Sequence, residues 1–154
     1  MSNVLGNRSR KRLDGVHPTI MDIIEFGIVD CPFDFGIPAD GGKRNHERQC
    51  ELYARGRTTA ELQKKGIMNV EGEPHRDKIT WTLRSKHLPK KDGYGYAFDL
   101  YAYVGGKASW SMKYLEPIAR HLQKVALEEF GIKLIWGQDV WGKDAAHFQI
   151  EEYA

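Results

Sequence analysis

Two stretches in the last third of the chain limit the possible folds most, because apolar residues recur at every second position within residues 97–104 and 147–150. The apolar residues of both stretches fall on one face: Phe98, Leu100, Ala102, Val104, Phe148 and Ile150. Successive side chains of a strand point to opposite faces, so both stretches are predicted to be strands with one buried face. Asp99, His147 and Gln149 lie on the opposite, less apolar faces.

The rest of the chain mixes helices with short strands. One helix is predicted to begin at Pro18 and end near Gly27, and another to follow Asn45 as its cap. Thr58 starts a capping-box pattern, and a long amphipathic helix ends at Gly131. Strands are also predicted over residues 30–36, 79–83 and 132–136, and a loop over 137–143. Because strands and helices do not alternate regularly, we expect an α+β fold with a small antiparallel sheet packed against helices.

The length and charge of the chain favour one domain and argue against a dedicated nucleic-acid binder. The 154 residues suffice for one core, and the net charge of +2 lacks the strongly basic balance of nucleic-acid-binding proteins. Residues 1–12 form a basic N-terminal tail, with four cations at Arg8, Arg10, Lys11 and Arg12. The tail is either solvated or contacts an anionic polymer. We expect a single domain over residues 13–154.

Several features concern the compartment of the protein. No apolar run is long enough to span a bilayer, so we expect no membrane insertion. The N-terminus is polar and lacks the apolar segment of a secretory signal, so release from a cell would need another factor. Cys31 and Cys50 are too few for a disulfide framework and are expected to be buried free thiols, as in reducing compartments.

The polar faces of the two predicted strands carry groups that can bind a metal. If the strands are antiparallel neighbours, Asp99 and His147 converge, and His87 from the preceding loop completes a set of three ligands. Two imidazoles and a carboxylate suit zinc, and three protein ligands with an open fourth position are typical of catalytic sites. The alternative is that His147 serves packing or surface, and Asp92 is a rival ligand because it lies closer to His87.

A second carboxylate, Asp144, lies three residues before His147. That spacing can bring both side chains to one side of a tight turn. Asp144 would then stand beside the metal and deprotonate a water as a general base. Arg44 lies just before a helix N-terminus, where it suits an anionic substrate group, although its position alone favours an ordinary surface arginine.

Taken together, these residues resemble the M15-type zinc peptidases. The resemblance lies first in the split motif Ser85-x-His87 and Gly95-x-Ala97-x-Asp99, and then in Asp144-x-x-His147. That family includes D-alanyl-D-alanine carboxypeptidases and dipeptidases, and phage endolysins that cut the L-alanyl-D-glutamate bond of peptidoglycan. The endolysin branch often carries Asp where the carboxypeptidases carry Glu, as Asp144 does here.

Further similarity covers most of the chain. Residues 13–18 resemble the opening segment of the family, and residues 52–58, with Arg44 and Gln49, resemble the helix before its active site. The insert between the first histidine and the aspartate is longer here than in the family motif, and the extra residues fall in 88–94. This insert lengthens a loop at the rim of the site and bears on substrate preference.

The resemblance implies the role of each site residue. It implies zinc held by His87, Asp99 and His147, with Asp144 as the catalytic general base. It also implies that three residues bind or polarise the substrate: Arg44, Ser85 and Gln49. The small sheet of the α+β fold would then carry the zinc site.

We therefore expect a zinc endopeptidase that cleaves peptidoglycan stem peptides at the L-Ala–D-Glu bond, acting as a phage-type endolysin in host lysis. Such a protein would be a monomer, remain in the host cytoplasm until a pore-forming factor releases it, and bind no nucleic acid. Two alternatives are a D-alanyl-D-alanine carboxypeptidase and a non-catalytic module that binds the wall or nucleic acid. An intact Asp144 argues against the module, because a binding protein has no need of that carboxylate.

Overall fold

The computed structural model describes residues 3–151 and confirms the α+β class. Its helices are α1 (Asn7–Arg12), α2 (Pro18–Val29), α3 (His46–Tyr53), α4 (Thr59–Lys64), α5 (Met112–Phe130) and α6 (Gly137–Trp141). Its strands are β1 (Asp34–Gly36), β2 (Ala97–Asp99), β3 (Tyr101–Val104), β4 (Lys107–Ser109), β5 (Ile135–Trp136) and β6 (His147–Gln149). No helix in this part of the chain has both the length and the apolar character needed to cross a bilayer.

The strands form two antiparallel sheets, ordered β1-β3-β4 and β2-β6-β5. The single strand predicted over residues 97–104 is therefore wrong, because the chain passes from one sheet to the other at Leu100. The Leu100 N–H donates to the Ala146 carbonyl at 3.0 Å, while Phe98, Leu100 and Ala102 are all fully buried. Burial keeps its period of two across the break, so alternation alone could not detect it.

Helices α2 and α5 pack together and supply much of the core. Pro18 opens α2 as predicted, and the His17 side chain caps it by accepting from the Thr19 N–H. Gly27 does not end α2 as predicted. A Cβ there would lie 2.6 Å from Leu122 of α5, so this glycine allows close approach of the two helices, and α2 continues to Val29.

Both predicted caps of the shorter helices are confirmed. The Asn45 side chain accepts from the Arg48 N–H at 2.7 Å, and Thr58 and Glu61 form a reciprocal capping box. These helices enclose a smaller apolar cluster that includes Tyr53 and Leu62. Free Cys31 and Cys50 are both buried, and desolvation raises the pKa of Cys31 to about 11.

The basic N-terminal segment is folded where the structure describes it. Leu5 is only 3% exposed and belongs to the main core, and residues 7–12 form α1. Ser9 Oγ accepts from the Ile37 N–H, and Arg12 donates to the Ile37 carbonyl, both at 2.9 Å. Residues 3–12 are thus joined to the rest of the fold, unlike a solvated tail, whereas residues 1 and 2 lie outside the described part.

Two other local predictions are wrong. Residues 79–83 form no strand. The Thr80 hydroxyl accepts from the Thr82 N–H and donates to the Thr82 carbonyl. These local bonds offer the backbone an alternative to pairing in a sheet. Trp81 in this segment is 61% exposed. Residues 137–141, predicted as loop, form the short helix α6.

Candidate metal centre

The pairing of β2 with β6 brings two of the predicted ligands together. Asp99 lies directly opposite His147 in this antiparallel ladder, so both side chains lie on the same face. Asp99 Oδ1 is 3.3 Å from His147 Nδ1 and 3.2 Å from His87 Nε2. One ligand atom from each residue lies within 4.8 Å of the other two. Two nitrogens and one carboxylate oxygen at these separations fit a single zinc-sized ion.

The orientation of His87 is fixed on every side. Its Nδ1 lies 2.8 Å from the Gly42 carbonyl, which can only accept, so Nδ1 carries the proton and Nε2 offers its lone pair to the site. The His87 N–H donates to Ser85 Oγ at 3.1 Å, and its carbonyl accepts from the Arg44 N–H at 2.9 Å. A Cβ at position 42 would fall 2.0 Å from the Arg12 carbonyl oxygen, so only glycine fits there.

His147 is held by a residue that the sequence analysis did not single out. Its Nε2 lies 2.8 Å from Gln149 Oε1, which can only accept, so in the neutral imidazole the proton is on Nε2 and the Nδ1 lone pair is available to a metal. Gln149 is 7% exposed. The available signal was its position two residues after His147 on the same strand face. A bond of this kind to the outer ring nitrogen orients an imidazole ligand and raises its basicity.

Arg44 and Gln49 lie behind Asp99. Arg44 donates to Asp99 Oδ2 at 3.1 Å, to the Asp40 carbonyl at 2.9 Å and to Gln49 Oε1 at 3.3 Å. Fully buried Gln49 donates in turn to the Thr82 carbonyl at 2.8 Å. These bonds occupy the guanidinium within the protein and hold the oxygen of Asp99 that faces away from the two histidines. Substrate binding by Arg44, Gln49 and Ser85 stays a prediction.

Asp144 occupies a strained position beside the ligands. Its φ of 68° makes it the one non-glycine residue with positive φ among residues 3–151. Such a conformation costs about 1–3 kcal/mol and concentrates at functional sites. The His147 N–H donates to the Asp144 carbonyl at 3.1 Å, which closes the turn that carries both residues. Desolvation, followed by the charge of Asp99, raises the pKa of Asp144, the direction that a proton-accepting catalytic carboxylate requires.

The rival ligand Asp92 does not join the three clustered ligands. Its carboxylate accepts from the Tyr94 N–H at 2.9 Å and from the Tyr96 hydroxyl. The Tyr96 hydrogen bond holds the pKa of Asp92 below its ordinary value. Asp92 therefore orders the inserted loop, residues 88–94, from within.

The stability of the metal-free protein, prepared with a chelator, should depend on pH. Burial alone would lower the pKa of His147, but hydrogen bonding and charge from Asp99 outweigh it and raise that pKa above 6.5. Burial would raise the pKa of Asp99, but the charges and hydrogen bonds of His87 and His147 hold it well below 3.8. The contribution of His147 to the free energy of unfolding is therefore complete below pH 6.5, and it is lost as the pH rises through the raised pKa of this residue. The contribution of Asp99 to the free energy of unfolding is present above pH 3.8, and it is lost as the pH falls toward the lowered pKa of this residue.

A metal that binds neutral imidazole should reverse this trend. We expect the melting temperature of the chelated protein to fall between about pH 6 and pH 8, and the increase caused by zinc to grow over the same interval. Differential scanning calorimetry with and without zinc measures both. A zinc-induced increase that does not change with pH would contradict this coupling.

Comparisons with known proteins agree with this geometry. The sequence profile of the phage L-alanyl-D-glutamate peptidase family matches residues 1–152. The crystal structure of the Serratia marcescens L-Ala D-Glu endopeptidase ChiX is similar, with a TM-score of 0.67 and 27% sequence identity. That likeness covers 97% of this chain and 91% of the other. No curated protein sequence is significantly similar to the chain.

Proposed function

Because this chain belongs to the phage L-alanyl-D-glutamate peptidase family, we propose that it cleaves peptidoglycan with a zinc ion held by His87, Asp99 and His147. Hydrolysis of the L-Ala–D-Glu bond is the activity of the family, and the chain is a peptidoglycan hydrolase of this type. The observation that carries the metal assignment is the register of β2 and β6, which places Asp99 opposite His147.

Each residue of the site has a distinct part in the proposed mechanism. His87, Asp99 and His147 would hold the zinc ion, which would supply Lewis acidity at the scissile amide carbonyl. Asp144 accepts the proton of the attacking water as the new C–O bond forms. It then returns that proton to the nitrogen of D-Glu as the C–N bond breaks, so one water is consumed and a free amine is released.

Reconstitution with defined metals tests the zinc assignment. The metal is removed with a chelator and dialysis, and zinc, magnesium or calcium is then added. For each metal, the digestion of purified peptidoglycan and the metal content of the protein are measured. We expect about one zinc per chain to restore cleavage, because nitrogen ligands favour zinc over the two oxygen-preferring ions. Restoration by magnesium or calcium, or none by zinc, would overturn the assignment.

We further propose that Arg44 acts as a positioning residue for Asp99, with Gln49 holding Arg44. Three bonds within the protein support this role, including the one to Asp99 Oδ2. Partners that orient a metal ligand typically affect metal affinity about 10–100-fold. Arg44→Met is therefore expected to weaken zinc binding by about that factor.

Arg48→Met is the matched control for this variant. Arg48 also pairs with carboxylates, Asp40 and Glu51, but its side chain is 37% exposed and contacts no proposed ligand. Competition with a chromophoric zinc chelator measures both affinities. Equal zinc affinity in Arg44→Met and the wild type would contradict a positioning role.

The biological setting proposed for the enzyme is host cell lysis. The match to a phage peptidase family supports it. We propose that the enzyme is monomeric and that its peptidase domain spans residues 13–154. We also propose that it waits in the host cytoplasm until a separate pore-forming factor releases it. Expression in a bacterial host with and without such a factor tests this, because rapid lysis without the factor would exclude the waiting step.

A further inference from the structure

One lysine beside Asp144 in the chain keeps its charge without a carboxylate partner among the described residues. Lys143 directly precedes Asp144, and its ammonium lies 4.5 Å from the centre of the Trp81 ring. Within residues 3–151 no carboxylate forms an ion pair with Lys143. An aromatic face holds an ammonium in place without cancelling its charge, so Lys143 remains able to bind an anion.

The tryptophan that positions Lys143 is tied to the metal centre. Trp81 lies between Thr80 and Thr82, and the side-chain amide of Gln49 donates to both, at 3.2 Å and 2.8 Å. Gln49 in turn bonds Arg44, which bonds Asp99. Trp81 is nevertheless 61% exposed. The segment is thus anchored by hydrogen bonds from Gln49, while the Trp81 indole and Lys143 face solvent.

The chemistry of the scissile bond identifies the anion closest to this point. Asp144 delivers its proton to the nitrogen of D-Glu. The carbon that bears this nitrogen also bears the α-carboxylate of D-Glu, which stays free because the stem peptide continues through the γ-carboxyl group. A cation adjoining Asp144 in the chain is well placed for that carboxylate, whereas the other carboxylates of the stem peptide lie at least one residue further away.

We propose that Lys143, held by Trp81, binds the α-carboxylate of D-Glu and makes the enzyme selective for stem peptides in which that group is not amidated. This inference rests on the proposed function of the site. It assigns a specificity-determining role to two residues outside the motif positions discussed above. An α-carboxamide carries no charge, so the same lysine would gain little from it.

The test uses two synthetic muramoyl peptides that differ only in a free α-carboxylate or an α-carboxamide on D-Glu. Zinc-loaded wild type is expected to show a kcat/KM about tenfold higher for the carboxylate, as for one charged hydrogen bond. Lys143→Met should bring the ratio of the two values close to one, and Lys143→Arg should retain most of the preference. Trp81→Leu should lower the ratio, because it removes the support of the ammonium.

Lys113→Met is the matched control. The Lys113 ammonium also lies over an aromatic ring, 5.5 Å from the centre of Tyr114, but it is on α5 and not beside Asp144. The Lys113→Met variant should show the same ratio of the two kcat/KM values as the wild type. Equal cleavage of both peptides by wild type, or an unchanged ratio in Lys143→Met, would overturn this inference alone. Cleavage of neither peptide by folded, zinc-loaded wild type would instead overturn the proposed function and the inference with it.

Discussion

Replacing Asp144 by Asn is expected to lower kcat by about 10²–10⁴-fold while the protein keeps its zinc and its melting temperature. The amide cannot accept the proton of the attacking water, yet it has nearly the same shape as the carboxylate. Asn also tolerates the left-handed backbone found at this position, where φ is 68°. Ala would add backbone strain to the loss of the carboxylate, so Asn isolates the chemical effect.

The control for this variant is Asp22→Asn. Asp22 is an exposed residue of α2 and belongs to no contact of the metal centre. It should leave kcat unchanged. Steady-state rates on a soluble muropeptide, with zinc content and thermal unfolding measured in parallel, separate catalysis from folding. A fully active Asp144→Asn enzyme would remove Asp144 from the mechanism.

Replacing Asp99 by Asn should abolish activity through loss of the metal. Asp99 supplies the one carboxylate of the ligand set and contacts His87, His147 and Arg44. Loss of a direct ligand should exceed the 10–100-fold loss of affinity typical of outer partners. A zinc ion that binds only the folded chain would stabilise it roughly in proportion to the logarithm of its concentration over Kd, so the effect of zinc on the melting temperature should vanish in this variant as well.

Asp92→Asn provides the comparison for Asp99→Asn. Both aspartates were candidates for the same ligand position, and Asp92 bonds the Tyr96 hydroxyl instead. Calorimetric titration with zinc should show wild-type affinity in Asp92→Asn and none measurable in Asp99→Asn. The reverse order would mean that the inserted loop, rather than β2, carries the ligand.

The clustering of the three candidate ligands could be predicted from local patterns in the sequence. The alternation around Asp99 and His147 fixes which face each residue occupies, and the β2–β6 register confirms that they converge. The caps at Asn45 and Thr58 were equally predictable, because each satisfies backbone N–H groups within a few residues. The alternation within each strand and the two caps are short-range features, which a sequence displays directly.

The features that were missed depend on contacts distant in sequence. The break at Leu100 follows from its bond to Ala146, and the folding of residues 3–12 follows from bonds between α1 and Ile37. The β-branched pattern of residues 79–83 indicated a strand, but Thr80 bonds Thr82 and the distant Gln49 instead. Tertiary hydrogen bonds override the local preference in the first two cases, and in the third case the bond to Gln49 acts together with the local Thr80–Thr82 bond.

The most direct measurement is mass spectrometry of the fragments released from purified peptidoglycan by the zinc-loaded protein. We expect new amino termini on D-Glu, which disappear after chelation and in Asp144→Asn. Release of terminal D-Ala without new D-Glu amino termini would contradict it and indicate a carboxypeptidase.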